Sequence, residues 1–291
     1  MTELSEQLGW EARWAKPAAY AAFGSAILTV GGNLYAATAL DSRPEPGDSK
    51  AFAAALASES GVFITSSVIP AIGAALLPLV LVYLYGVVKA RRPELPTIAL
   101  YLAVAGPLIY ALAIVLSQLD RIDNAEQFIA TGSRDEGEAE DALREQSTLA
   151  VAFGLSGALS LGFALVYLNL NAMRAGIESR FMGVMGVIVG ALPILSSLIP
   201  GVSASFVQLF WIVALGVLFL GRWPGGRGPA WETGEATPWP SAADRRLEVA
   251  EAPDDGRQTT PHDGAKADDS PPDEPRPAHP GSQKRKRKRK R

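Results

Sequence analysis

Apolar residues along the chain fall into six blocks, and the charged residues lie between the blocks. The blocks cover residues 17–38, 62–87, 97–118, 148–170, 181–200 and 204–221. A helix needs roughly 18 to 20 apolar residues to cross about 30 Å of hydrocarbon, where a charged side chain costs about 3 kcal/mol. The pattern therefore predicts an all-α fold: a polytopic membrane helix bundle with six transmembrane helices.

The Lys and Arg residues near the block ends predict the orientation. They concentrate in the N-terminal segment 1–16, the turns 88–96 and 171–180, and the exit at 222–227: Arg13, Lys16, Lys89, Arg91, Arg92, Arg174, Arg180, Arg222 and Arg227. By the positive-inside rule, both termini are cytoplasmic. The abundance of Ala, Gly, Pro and Arg is typical of a GC-rich bacterial genome, so we expect a multi-pass protein of the bacterial inner membrane.

Two connections lie on the opposite side. Residues 50–58 are predicted to form a short helix, and residues 119–147 form a long acidic connection. The acidic connection lacks the ordered ligand spacing of a calcium loop, so a solvated surface is the preferred interpretation and no metal site is predicted.

The C-terminal segment, residues 223–291, is rich in Pro, Gly and Asp and has no apolar period. Such a segment buries too little apolar surface to offset its chain entropy, so we predict a disordered cytoplasmic tail. The tail ends in a basic run: Lys284, Arg285, Lys286, Arg287, Lys288, Arg289, Lys290 and Arg291. This run is interpreted first as an anchor or a partner for the acidic tail, and second as a contact for anionic lipid headgroups; nucleic acid is not expected.

Two hairpins within the blocks resemble one another. Residues 73–108 align with residues 157–192 and share Leu-Val-Tyr-Leu followed by a basic turn. Parallel repeats in transporters place a binding site at the repeat interface. The alternative is chance, because apolar segments built from a few residue types align easily.

The chain carries few groups that support catalysis. It has no cysteine, and its two histidines, His262 and His279, lie in the tail. The segment Gly154-Leu155-Ser156-Gly157 resembles the Gly-x-Ser-Gly motif of rhomboid proteases, but the sixth block has no histidine to activate the serine. No phosphate loop, dinucleotide fingerprint or zinc pattern occurs. The chain is therefore predicted not to be an enzyme and to hold no cofactor.

Polar residues within the blocks are the remaining candidates for a site. Asn33, Gln118, Ser156 and Asn169 are predicted either to pack between helices or to line a cavity. The leading hypothesis is a non-enzymatic membrane protein with a structural, regulatory or partner-binding role. The alternative is a small-molecule transporter or facilitator with a site at the interface of the two hairpins. A polar cavity around these amides favours transport, whereas a dense core of Gly and Ala favours the leading hypothesis.

The fourth and fifth blocks carry a resemblance to a known family. The residues concerned are Phe153-Gly154-Leu155, Gly162, Tyr167-Leu168, Arg174-x-Gly176 and Arg180-x2-Gly183. Their order resembles that of a family of bacterial six-span integral membrane proteins known as a domain of unknown function. The resemblance implies a six-helix membrane fold and brings no activity with it.

Overall fold

The computed structural model describes residues 2–41, 44–131, 135–198, 205–224 and 226–239, of which 83% are helical. No strand occurs in these ranges, so the all-α prediction is confirmed for them. The helices are α1 (Thr2–Ala39), α2 (Ser49–Ser58), α3 (Ser60–Arg91), α4 (Ile98–Thr131), α5 (Glu136–Arg144), α6 (Thr148–Ala175), α7 (Arg180–Leu198), α8 (Ser205–Phe219) and α9 (Ala230–Thr233). The predicted tail residues 240–291, with the basic run Lys284–Arg291, lie outside the described residues.

Six of the helices pack side by side in a closed ring. Helix α1 contacts α3 and α8, and the ring continues from α3 to α4, α6, α7 and back to α8. Neighbouring helices in the ring share one core, to which α3 gives Leu77 and Leu84, α6 gives Leu161 and Leu168, and α8 gives Leu215. Long helices that follow one another in the chain are therefore also neighbours in the ring.

Three helices in the described ranges are long and apolar enough to cross a membrane: Ser60–Arg91, Ile98–Ala130 and Thr148–Ala175. Two further apolar helices, Arg180–Ser196 and Phe206–Phe219, are shorter. Large apolar side chains stand exposed on the outside of the ring, including Tyr101 on α4, Phe163 on α6 and Phe210 on α8. Such an exposed apolar surface is typical of contact with lipid, and together with the three apolar helices it indicates a membrane protein.

Helices α4 and α6 approach each other closely through two glycines. A Cβ on Gly106 would stand 2.5 Å from the backbone nitrogen of Leu161, and one on Gly157 would stand 2.6 Å from that of Tyr110. Packing in hydrocarbon depends on such close approach, because apolar side chains gain nothing by leaving an apolar solvent. The contact therefore requires glycine at both positions.

The matched glycines of the two hairpins do not all have matching neighbours. Gly73 packs against α1 and Gly157 against α4, so each contacts the preceding helix of the ring. Gly106 packs against α6, outside its own hairpin, whereas Gly190 packs against α6 within its hairpin. A common origin of the hairpins and a chance resemblance therefore both stay as alternatives.

At one end of the ring, α2, α5 and the last turns of α4 form a small helical layer, which we call the acidic cap. Its core consists of Ala53 and Leu56 from α2, Phe63 from α3, and Ile122 and Ala125 from α4. The predicted short helix at residues 50–58 is confirmed as α2. The predicted connection 119–147 is instead largely helical, because α4 continues to Thr131 and α5 follows.

The end of the described chain also differs from its prediction. Disorder was predicted from residue 223, but residues 226–239, which we call the strap, pack against the other end of the ring. The strap has no apolar period because it contributes only a few large contacts, among them the buried Trp231. A single large aromatic ring buries enough surface to dock a segment that shows no amphipathic pattern.

The close approach of α4 and α6 gives a testable prediction. Replacing Gly157 with Ala forces the two backbones apart, so we expect a loss of about 1–3 kcal/mol of stability. The matched control is Gly154→Ala on the same helix, where a Cβ meets nothing within 4 Å. The control gains helix propensity and is expected to leave the unfolding midpoint in detergent unchanged or raised. Equal midpoints for the two variants would contradict the close contact.

Candidate functional site

A polar cavity of about 390 Å³ lies beside the acidic cap, between α1, α3, α4 and the start of α6. Its polar side chains come from four separate segments: Asn33, Ser66, Ser67, Tyr110, Ser117, Gln118, Arg121 and Gln146. No described Asp or Glu belongs to this lining. A polar concave site between helices of a bundle is the usual place for a small ligand.

Helix α4 supplies one wall of the polar cavity through a single stripe. Tyr110, Ile114, Ser117, Gln118 and Arg121 all line it, and they follow each other at spacings of one, three or four residues. Residues three or four apart lie on the same face of a helix. The stripe changes from aromatic and aliphatic to amide and guanidinium as α4 leaves the apolar block, so the cavity becomes more polar toward the cap.

The hydrogen bonds within the lining leave specific groups available. The Ser66 and Ser67 hydroxyls donate to Phe63 O and Ile64 O, each at 2.8 Å, so their protons are engaged and their oxygens remain as acceptors. Gln118 Nε2 is buried and has no hydrogen-bond partner among the described residues. An unpaired buried donor costs about 1–3 kcal/mol, which a ligand or water in the cavity would recover.

A smaller pocket of about 130 Å³ extends this space toward the middle of the ring. It shares Pro70, Tyr110 and Ile114 with the polar cavity. Its further polar residues are Ser25 and Thr29 on α1 and Gln208 on α8. Polar groups therefore continue inward from the cap without any charged side chain, as hydrocarbon depth requires.

The structure brings together two of the four predicted polar residues. Asn33 and Gln118 both line the polar cavity. Asn169 is fully buried elsewhere, where Nδ2 donates to Leu165 O at 2.7 Å and the side chain lies against Gly186 of α7. Ser156 is exposed on α6 and lies outside the cavity lining. Asn169 is thus a packing residue between α6 and α7.

Sequence reasoning missed Ser66, Ser67, Ser117, Arg121 and Gln146 as lining residues. A serine in an apolar block is compatible with helix packing, so the serines did not indicate a cavity. The helical spacing of Ser117, Gln118 and Arg121 was the available signal, and it crosses the boundary between an apolar block and an acidic connection.

A second groove, of about 460 Å³, is almost wholly apolar and lies at the strap end. Trp10, Trp14 and Pro17 of α1 line it together with Pro78 and Val82 of α3. Tryptophan prefers the boundary between hydrocarbon and headgroups. We therefore assign this groove to contact with lipid. The polar cavity is the candidate site for a small ligand.

The strap end of the ring is closed by a buried ion pair. Arg91 Nη1 lies 2.5 Å from Glu11 Oε1, and Nη2 lies 3.0 Å from Oε2, with both side chains almost fully buried. Arg91 also donates to Ala230 O of the strap at 2.8 Å and to Val87 O at 2.9 Å. One guanidinium thus connects α1, α3 and the strap. Arg91 was predicted only as a basic turn residue.

Aromatic rings surround this ion pair. Tyr83 donates to Glu11 O at 3.1 Å and contacts the rings of Trp10 and Phe219, at centroid distances of 5.7 and 4.7 Å. The Arg227 guanidinium lies 4.8 Å from the ring centroid of Trp231, within range of a cation–π interaction. The aromatic layer excludes water from the charges.

The strap also crosses the turn between α6 and α7. Trp231 Nε1 donates to Ile177 O at 3.0 Å. Gly176 ends α6 in the left-handed conformation, with φ 74°, and a Cβ there would collide with Thr237 O of the strap. Glycine is required at this position by its backbone angle and by the strap.

Glu178 follows in the same turn and is buried without a partner. Both carboxyl oxygens lack a hydrogen bond among the described residues. Burial raises the pKa of the Glu178 carboxyl to about 8. The group is therefore largely protonated at neutral pH.

The described residues contain no cluster of three His, Cys, Asp or Glu side chains that would hold a metal ion. His262 and His279 lie outside these residues. No protein-family model, curated protein or solved structure matches the chain. The resemblance to a six-span family of unknown function therefore stays a prediction.

The buried ion pair gives a second testable prediction. Arg91→Met leaves the Glu11 carboxylate buried and unpaired, so we expect a loss of about 3–5 kcal/mol, much of it recovered in the Glu11→Met, Arg91→Met double variant. The neighbouring Arg92 pairs with the exposed Glu94, so Arg92→Met serves as control and costs under about 1 kcal/mol. Unfolding midpoints in detergent measure all three. A double variant as unstable as Arg91→Met would refute the pairing.

Glu178 gives a third prediction, in pH dependence. Its pKa is raised in the folded chain from an ordinary 4.5 to about 8, so its contribution to stability is full below pH 4.5 and is lost as pH rises to about 8. The loss is roughly 1.4 kcal/mol per pH unit across that window. We expect Glu178→Gln to unfold at a higher temperature than the natural chain at pH 7.5 and to differ much less at pH 5.5. The exposed Glu126→Gln is the control; the same pH response in both variants would count against burial of Glu178.

Proposed function

We propose that the chain is a six-span, non-enzymatic protein of the bacterial inner membrane that binds a small polar solute in the polar cavity. The observation that supports this best is the buried, unpartnered Gln118 Nε2 within a lining of amides, hydroxyls and one guanidinium. An unpartnered buried donor costs free energy, and this one lies beside a 390 Å³ space. A solute that accepts a hydrogen bond from Gln118 would remove the cost.

The ring of six helices supports the proposal of six spans. Helix α1 lies beside α3, α7 lies beside α6, and α8 lies between α1 and α7, which supports a common depth in the bilayer for all six. Helix α1 falls short of the apolarity of its neighbours because it is rich in Ala and Gly and contains Asn33. These residues suit contact with α3 and with the cavity.

The strap end is proposed to be cytoplasmic. Arg13, Lys16, Arg174 and Arg180 are exposed at that end, whereas the acidic cap occupies the other. Exposed basic residues at the span ends favour a cytoplasmic location. The mouth of the polar cavity would then face the periplasm.

A transporter or facilitator is the second candidate. The inner pocket supports it, because Ser25, Thr29 and Gln208 extend the polar surface into the ring. The site differs from the predicted one: the cavity lining lies outside the hairpins 73–108 and 157–192, whose interface at Gly106 and Gly157 is closely packed. Passage through the ring would require opening of the strap end, where Trp10, Tyr83 and Trp231 pack together.

Thiol labelling tests the proposal, and the natural absence of cysteine makes the background clean. In Ser117→Cys the thiol lies in the polar cavity, so a membrane-impermeant maleimide is expected to label it from the outside of intact cells. Labelling requires the thiolate and therefore water. In Ser156→Cys the thiol faces outward from α6 and is expected to stay unlabelled.

Ala90→Cys controls the orientation, because Ala90 is exposed at the strap end. It is expected to react only after the membrane is permeabilised. Reaction of Ala90→Cys in intact cells would reverse the proposed topology. Absence of reaction at Ser117→Cys from either side would refute a water-filled cavity and the proposed function with it.

A further inference from the structure

We propose that the solute held in the polar cavity is a small carboxylate ion, bound by Arg121 and Gln118. This inference rests on the proposed function and names the ligand class of the same site. It depends on which charges line the cavity, which donors are available, and which acceptors face them.

Among the described residues of the lining, Arg121 is the only charged one; it is exposed and forms no ion pair. None of the described Asp and Glu residues lies within ion-pair distance of it. Arg144, in the same acidic cap, instead pairs with Glu140. A guanidinium binds a carboxylate through two parallel hydrogen bonds. Arg121 can form both bonds with a solute, because no carboxylate of the described residues pairs with it.

The acid nearest to Arg121 in the chain is engaged by another residue. Asp120, next to Arg121 in the chain, accepts two hydrogen bonds of 2.8 Å from the backbone and hydroxyl of Ser147 and is not part of the lining. A cation in the cavity would therefore meet a guanidinium and no carboxylate. The local charge favours an anion, although the cap around it is acidic.

Gln118 lies three residues before Arg121 and on the same face of α4. Its unpartnered Nε2 adds a neutral donor beside the guanidinium. One positive charge with one amide donor matches a monoanion better than a phosphate dianion, which recruits several cations or a helix N-terminus. The opposite wall presents the oxygens of Ser66 and Ser67 as acceptors, which suit a hydroxyl or ammonium group on the same small molecule.

Calorimetry on the full chain in nanodiscs tests the ligand class at constant ionic strength. The probes are acetate, lactate and succinate, each compared with its neutral amide. We expect at least one carboxylate to bind at least tenfold more tightly than its amide, and Arg121→Gln to weaken that binding at least tenfold. Gln118→Leu is expected to weaken it several-fold. Arg144→Gln, which removes an equal charge from the cap outside the cavity, is expected to leave it unchanged.

The outcomes separate this inference from the proposed function. Equal binding of a carboxylate and its amide, with no effect of Arg121→Gln, would overturn the carboxylate assignment and leave solute binding intact. An equal loss of affinity in Arg121→Gln and Arg144→Gln would mean that Arg121 acts only through the general surface charge. That result would also overturn the carboxylate assignment. No binding of any probe, with Ser117→Cys still labelled from outside, would reject the ligand class. No binding and no labelling would reject both.

Discussion

Hydrocarbon excludes unpaired charge, and this constraint decides where the chemistry of the molecule lies. The apolar blocks contain no charged residue, so every Asp, Glu, Lys and Arg is confined to the two ends or the tail. At the strap end one charged pair, Glu11 and Arg91, is buried beneath aromatic rings. At the acidic cap the exposed Arg121 lines the polar cavity. Charged residues therefore close the ring at the strap end and line the polar cavity at the acidic cap.

The middle of the ring is divided between close packing and space. Where α4 meets α6, Gly106 and Gly157 bring the backbones together. Nearer to the acidic cap, α4 places Tyr110, Ser117 and Gln118 on the face toward α1 and α3, where the helices surround the polar cavity. Proline contributes at this point, because Pro70 of α3 has no N–H to donate to the preceding turn. The same bundle thus contains a tightly packed side and an open side.

The fold class was predictable from the sequence, because apolar blocks of span length are a strong signal. The short helix α2 was also predictable. The extension of α4 beyond the apolar block was not, since its last turns are polar and are held by contacts with α2 and α5 that are remote in the chain. Local pattern also failed for the strap, whose docking depends mainly on Trp231 and on a carbonyl in the 176–179 turn.

The candidate site was predictable only in part. Asn33 and Gln118 stood out because amides are rare in apolar blocks, and both reached the cavity. Asn169 had the same signal but turns to its own helix, a choice that one sequence does not encode locally. Pairing of Glu11 with Arg91 joins positions 80 residues apart, and no local period links them.

The strap has a consequence for the order of assembly. A ribosome releases residues 226–239 only after all the ring helices have been synthesised, and the strap then binds groups contributed by α1, α3 and the turn after α6. Until that moment Arg91 lacks its contact with Ala230 O, and the backbone of the 176–179 turn lacks its contact with Trp231. Docking of Trp231 is therefore the final step in closing this end of the ring. If synthesis stops before the strap, the inserted helices lack the contacts that close this end.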